Sequence, residues 1–143
     1  MIREIEFGSE EYVLAKNFRD TMLRIPLGLS GLSDVDLAGE DKQIHIAAFD
    51  GCVIVGTIVF KPLSDGLVKL RQMAVADSWQ GKGLGRQLVE FCEDMLRSRG
   101  FKRIEMTARV PAQGFYERLG YSVEGDAFGG LIPLPTIIMV KDL

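Results

Sequence analysis

Cysteine and histidine are scarce in this chain of 143 residues: Cys52, Cys92 and His45 are all it has. So few soft ligands, so far apart, make no recognisable transition-metal cluster, and two cysteines make no disulfide framework. Both fall in apolar segments, one strand-like and one helix-like. They are therefore expected to be buried free thiols in a reducing cytoplasm. A surplus of positive charge is also missing. Lys and Arg number 17 against 20 Asp and Glu, for a net charge of -3, whereas nucleic-acid binders gather cations to neutralise phosphates. The longest apolar run, residues 52–60, is interrupted by Gly56 and Thr57 and is too short to span a bilayer. The charged, alternating Met1–Phe7 is unlike a secretory signal. These absences leave one domain over residues 1–143, cytoplasmic, with no metal, membrane or nucleic-acid partner expected. With 47% hydrophobic residues, a chain of this size can bury a substantial core.

The pattern along the chain is mixed. Residues 2–7 alternate as a strand. Ser9-Glu10-Glu11 reads as a helix start, and Leu14, Phe18, Met22 and Ile25 follow at helical spacing, which predicts them as the buried face. Pro26 ends that pattern or opens another turn, and residues 26–42 read as a long irregular connection. Residues 43–49 and 52–60 form a hairpin across Asp50-Gly51, and 62–66 a further turn. In the strand 67–76, Val68, Leu70, Gln72 and Ala74 share one face. A strong helix carries Leu84, Leu88, Phe91, Cys92, Met95 and Leu96 and stops at Gly100. The strand 103–108 precedes a short helix opened by Pro111 and marked by Ala112, Phe115 and Leu119. Strands 121–124 and 135–141 close the chain, joined through Gly129-Gly130. Strand–helix–strand from 67 to 107 implies a right-handed crossover, and the adjoining hairpin makes the sheet mixed.

The most informative segment is Gln80-Gly81-Lys82-Gly83-Leu84-Gly85-Arg86, where a strand hands over to a helix. Glycine allows positive φ and removes the side chain that would hold a ligand off the backbone. The first amides of a helix lack internal acceptors, so a loop of this kind suits an anion, with Lys82 and Arg86 adding positive charge. It is not a Walker A loop, because Lys82 is followed by Gly83 rather than Ser or Thr. It is not a dinucleotide fingerprint either, because the glycines are spaced G-x-G-x-G. On spacing alone, a flexible turn before a packed helix is the competing reading.

Gln80–Gly85 resembles the Q/R-x-x-G-x-G/A signature of the GCN5-related N-acetyltransferases (GNAT), and Leu70–Val75 resembles the strand leading into it. Downstream, Ala112-Gln113-Gly114-Phe115-Tyr116-Glu117-Arg118-Leu119-Gly120-Tyr121 is similar to the family's A-x-x-F-Y-x-x-x-G-F/Y helix. The resemblance implies an α/β fold with a mixed, mostly antiparallel central sheet flanked by helices and splayed central parallel strands. Residues 108–139 look most like the bacterial ElaA/YjcF-like branch, although its I-P-H stretch reads Ile132-Pro133-Leu134 here, without the histidine.

The resemblance implies acetyl-CoA as cosubstrate, a small-molecule primary amine as acceptor, and direct attack in a ternary complex. A homodimer is compatible with the family. The pantetheine arm is expected along Met73, Ala74 and Val75, and the pyrophosphate on Gln80, Gly81, Lys82, Gly83, Leu84, Gly85 and Arg86. Arg109 contacts cofactor phosphate or a substrate acid, or is a solvated surface arginine. Tyr116 is the candidate acid for the leaving thiolate; its alternative is simple packing beside Phe115. His45 and Glu105 are candidate bases, His45 being equally readable as a core residue, and deprotonation through water needs neither. Arg71 lines the acceptor side or faces water, and Trp79 packs at the loop's edge. The net negative charge points to cationic acceptors. The rival function is a non-catalytic acetyl-CoA-binding sensor or interaction module.

Overall fold

The computed structural model of the protein describes residues 1–125, 128–129 and 135–143. In chain order the elements are β1 (Ile2–Ile5), α1 (Glu10–Arg19), α2 (Asp34–Leu37), β2 (Ile44–Asp50), β3 (Val53–Ser64), β4 (Leu67–Val75), α3 (Leu84–Ser98), β5 (Arg103–Arg109), α4 (Gln113–Arg118), β6 (Ser122–Val123), β7 (Phe128–Gly129) and β8 (Pro135–Asp142). The strands form one sheet in the order β1-β2-β3-β4-β5-β8-β6, with β7 also pairing with β8. Among the described residues the one parallel pair is β4 with β5, joined through α3; the other pairs described are antiparallel. The sheet is mixed, as the element order implied, and mostly antiparallel with flanking helices, as the resemblance implied.

Alternation along the strands builds a core on each face. Ile46, Ala48, Ile58, Phe60, Val68, Leu70, Ile104 and Met106 pack with Leu84, Leu88, Cys92 and Leu96 of α3. Leu88 and Leu96 are fully buried, each worth roughly 1.5–3 kcal/mol. Ala47, Phe49, Ile54 and Ile5 cluster with Ala15 of α1. Phe91, which the helical pattern also placed inside, is 38% exposed; Val89 is buried instead.

Ser9 caps α1 as its sequence suggests, accepting from the Tyr12 amide. The buried face differs from the expectation. Tyr12, Ala15 and Arg19 are buried, whereas Leu14 is 50% and Ile25 56% exposed. The cause is twofold. Arg19 turns inward to meet a buried carboxylate, and the chain widens after Arg19 into a π-helical turn, Asp20–Arg24, which takes Met22 and Ile25 off the α1 register. Pro26 then sits in a short 3-10 turn, Ile25–Leu27.

The stretch 26–42 is less irregular than its composition suggested. Ser33 and Asp36 form a reciprocal capping box on α2, and Glu40–Lys42 is a 3-10 turn. The strand β3 runs past Pro62, which faces Val68 at a register shift, where a missing N–H is tolerated. The turn is displaced to Asp65 and Gly66. Cys52 lies in the turn before β3 and is exposed, contrary to the expectation of a buried thiol; Cys92 is buried. Of the closing segment, Gly130 and Leu131–Leu134 lie outside the described residues.

Candidate functional site

The strands β4 and β5 pair only from Leu67 opposite Arg103 to Leu70 opposite Met106. Past that point each keeps its outer neighbour. Residues Gln72–Val75 remain on β3, and Thr107–Arg109 remain on β8. The backbone edges of residues 71–75 and 107–109 therefore face one another with no ladder between them. Unpaired backbone amides and carbonyls require another partner. Met73, Ala74 and Val75 form one bank of this opening.

The glycine loop stands where β4 ends. Gly81 and Gly83 have φ of +76° and +84°, and no atom lies within 4 Å of where a Cβ would stand. Leu84 is buried and anchors the start of α3. Gly83 caps α3 without a side chain, and the first described intrahelical bond of the turn runs from the Gln87 amide to the Gly83 carbonyl at 3.1 Å. The amides of Leu84, Gly85 and Arg86 precede it and so lack helical acceptors. Around this open turn, Gln80 donates through Nε2 to the Val75 carbonyl at 2.9 Å, tying the loop to the strand end. Arg86 pairs with Glu90 at 3.0 Å. Lys82 lies over the Trp79 ring, and Trp79 packs against the main core.

Gly85 has a different task. A Cβ there would lie 3.2 Å from the Phe115 ring and 3.4 Å from Cε of Met73, so its lack of a side chain lets α3 pack close to α4. In α4, Tyr116 is buried and its hydroxyl lies 3.5 Å from Met73 Sδ, a weak acceptor. Burial pushes its pKa up to about 12, keeping the phenol protonated. Tyr116, Met73 and the loop thus meet at one place.

The other candidates lie apart. Glu105 sits opposite Lys69 in the closed part of the β4–β5 pair. His45 is buried on β2, and its Nε2 donates to the Glu40 carbonyl at 2.8 Å. Its ring packs edge-on to Tyr12 at 5.2 Å and beside Phe7. Burial lowers its pKa, against the opposing effect of the Glu40 carbonyl. Arg109 ends β5 and donates to the Leu23 carbonyl at 3.4 Å.

A buried network, which no local pattern announced, secures the bank of β4. Glu40 Oε1 accepts from Tyr12 at 2.6 Å and from Arg19 at 2.8 Å. Its Oε2 accepts from Arg19 at 2.7 Å and from Arg71 at 2.8 Å. Arg19 also reaches Gln72 at 2.9 Å, and Arg71 reaches Gln43 and the Asp36 carbonyl. Arg71, left open between acceptor side and water, is thus committed to this network. Burial acts to raise the pKa of Glu40, but hydrogen bonds from Arg19, Arg71 and Tyr12 outweigh it and bring it to about 2.

The sequence profile described as the Acetyltransferase (GNAT) family matches residues 10–121. The chain belongs to the GNAT acetyltransferase family. It is 31% identical over 88 residues to a Xenopus tropicalis protein named "Probable N-acetyltransferase 14", covering 59% of this chain and 43% of that one. The chain spans about a third to two thirds of the length of the curated relatives it matches. Among solved structures, an aminoglycoside 6'-N-acetyltransferase complexed with coenzyme A superposes with a TM-score of 0.79 at 21% identity, covering 99% of this chain and 96% of that one. Escherichia coli ElaA superposes with a TM-score of 0.84 at 16% identity, covering 99% and 98%. At these identities the superpositions establish the shared fold. No helix among the described residues is long and apolar enough to cross a membrane, and no group of three His, Cys, Asp or Glu there is placed to hold a metal.

Proposed function

We propose that the protein is an acetyl-CoA-dependent N-acetyltransferase that acetylates the primary amine of a small molecule within a ternary complex. The observation that carries this reading is the parting of β4 and β5 after four paired residues, with the open glycine turn at the end of β4. An extended amide-bearing arm suits the unpaired edge at Met73, Ala74 and Val75. A pyrophosphate suits the free amides of residues 81–86, with Lys82 and Arg86 at the rim and Gln80 holding the loop's shape. In this reading the amine nitrogen attacks the thioester carbon, a C–N bond forms and the C–S bond breaks. Tyr116 gives its hydroxyl proton to the departing CoA thiolate and regains one from solvent. The amine's proton leaves through water, since His45 is occupied by Glu40 and Glu105 lies outside the opening. Within the family we assign the chain to the ElaA/YjcF-like branch on the wording of residues 108–139.

Calorimetry with acetyl-CoA, ATP and NAD, followed by thiol detection across a broad amine panel, tests the assignment. Acetyl-CoA binding with release of CoA in the presence of an amine is the expected result. Acetyl-CoA saturation without transfer to any amine identifies a sensor instead. ATP binding without CoA affinity contradicts both readings.

A further inference from the structure

Four guanidinium groups gather on the bank of the opening formed by residues 19–40 and the strand ends: Arg19, Arg24, Arg71 and Arg109. Two carboxylates face them. Glu40 takes Arg19 and Arg71, and Asp36 takes Arg24 at 3.1 Å. The nearby Asp20 is already engaged by Lys16 and the Leu32 amide. Arg109 has no carboxylate among the described residues, only the long bond to the Leu23 carbonyl. Half-buried and beside Arg24, it is a cation with a weak partner; burial, and then Arg24, lower its pKa.

Its direction is set by strand alternation. Ile104, Met106 and Ala108 of β5 point into the core beneath α3, so Arg109 belongs to the opposite face, where its partner Leu23 lies. The loop of residues 80–86 and Tyr116 stand on the α3 side. Taking the acetyltransferase reading as its basis, we propose that Arg109, with Arg24 behind it, binds an oxyanion carried by the acceptor, so that the acceptor is an amine that also bears a carboxylate or phosphate. A guanidinium holds either group through two parallel hydrogen bonds, and does so most strongly where water is partly excluded. The chain's net negative charge suggested cationic acceptors, but on this bank four guanidinium groups meet the two carboxylates of Glu40 and Asp36. Here the local balance is positive, which disfavours polycations such as aminoglycosides.

Matched amines test this directly: 4-aminobutyrate against butylamine, O-phosphoethanolamine against ethanolamine, and kanamycin as a polycation. Thiol release is measured with wild type, Arg109→Ala and Arg109→Lys at saturating acetyl-CoA. The expected result is at least a tenfold higher kcat/KM for the acid-bearing member of a pair. Arg109→Ala should remove that preference by raising KM at least tenfold with little change in kcat, and Arg109→Lys should restore part of it. A preference within the phosphate pair alone, or the carboxylate pair alone, identifies which oxyanion is held. If no amine in the panel turns over, calorimetry of the CoA-bound protein with 4-acetamidobutyrate and N-butylacetamide decides, with binding of the acid alone as support. Equal use of neutral amines, a preference that survives Arg109→Ala, or no acid-dependent binding overturns the inference. So does a loss of acetyl-CoA affinity in Arg109→Ala, since that assigns the arginine to a CoA phosphate. Failure of the wild type to bind acetyl-CoA at all defeats the acetyltransferase reading itself, whereas CoA binding without acid dependence defeats this inference alone.

Discussion

The hydroxyl of Tyr116 lies 3.5 Å from the sulfur of Met73, joining α4 to the unpaired stretch of β4 across the opening. A phenol facing a thioether is held in place without surrendering its proton, because sulfur is a weak acceptor. Replacing that partner by a thiolate turns a poor acceptor into a strong one. Tyr116→Phe should therefore lower kcat roughly 100-fold, within the range for a general acid, and leave acetyl-CoA affinity unchanged. Steady-state kinetics paired with calorimetry checks it, and unaltered turnover removes Tyr116 from the chemistry.

The pH profile offers a second view of the same residue. With its pKa raised to about 12 by burial, Tyr116 remains a proton donor throughout the stable range. The rate should rise with pH as the acceptor amine loses its proton, and then level off without a falling limb below about pH 10. A rising limb centred below the ordinary histidine value of 6.5 that disappears in His45→Ala would instead assign the role of base to His45.

Glu40 predicts an acid-sensitive fold. Its pKa falls from 4.5 in the open chain to about 2 in the folded protein. The carboxylate thus contributes stability that is complete above pH 4.5 and is lost as the pH drops towards 2. The linkage amounts to about 3 kcal/mol. Urea titrations at a series of pH values should show this slope in the wild type and its flattening in Glu40→Gln. Removing the side chain in Glu40→Ala leaves Arg19 buried without its partner, at a cost of about 3–5 kcal/mol.

The two thiols should behave differently. Cys52 is exposed in a turn and Cys92 is fully buried, with its pKa pushed up by burial. A maleimide should modify Cys52 alone in the native protein, and Cys92 only after denaturation, as mass spectrometry of Cys52→Ser and Cys92→Ser will show.

What was legible in the sequence was local or periodic. Burial along β4 alternates at Val68, Leu70, Gln72 and Ala74 as a period of two predicts, but they do not share one face: a register shift at Arg71 leaves Val68 and Leu70 towards α3, turns Gln72 to Arg19, and brings Met73 to the α3 side. The glycine turn is a contiguous stretch whose backbone demands can be read directly. Arg19 shows where such reading stops. Its burial depends on Glu40, 21 residues away, and on Gln72, 53 residues away, and no short window contains all three. Judged by residue type alone, Leu14 outranks Arg19 as a core residue, and a satisfied ion pair reversed that order. Cys52 was misplaced by a single step of a hairpin, because Asp50 belongs to β2 and the turn takes Gly51 and Cys52. Arg109 was visible as a charge at a strand end, but its neighbours Leu23 and Arg24 come from a segment whose path depends on the π-helical turn.

The open turn makes its own mutational prediction. Gly83 is at φ +84° with free space around it, so a side chain there costs backbone strain of roughly 1–2 kcal/mol without a clash. Gly83→Ala should bind acetyl-CoA with modestly reduced affinity. Gly83→Glu should remain folded by circular dichroism yet lose at least about 100-fold in affinity, because its carboxylate meets the phosphates. Equal affinities in the two variants would contradict the cradle.

The most direct measurement is a titration of the isotopically labelled protein with CoA, followed through its backbone amide resonances. Saturable shifts are expected, largest at residues 73–75 and 81–86, with the Leu84, Gly85 and Arg86 amides moving downfield as they gain phosphate acceptors. Saturation that leaves residues 81–86 unmoved would place the pyrophosphate elsewhere and contradict the glycine turn as its cradle.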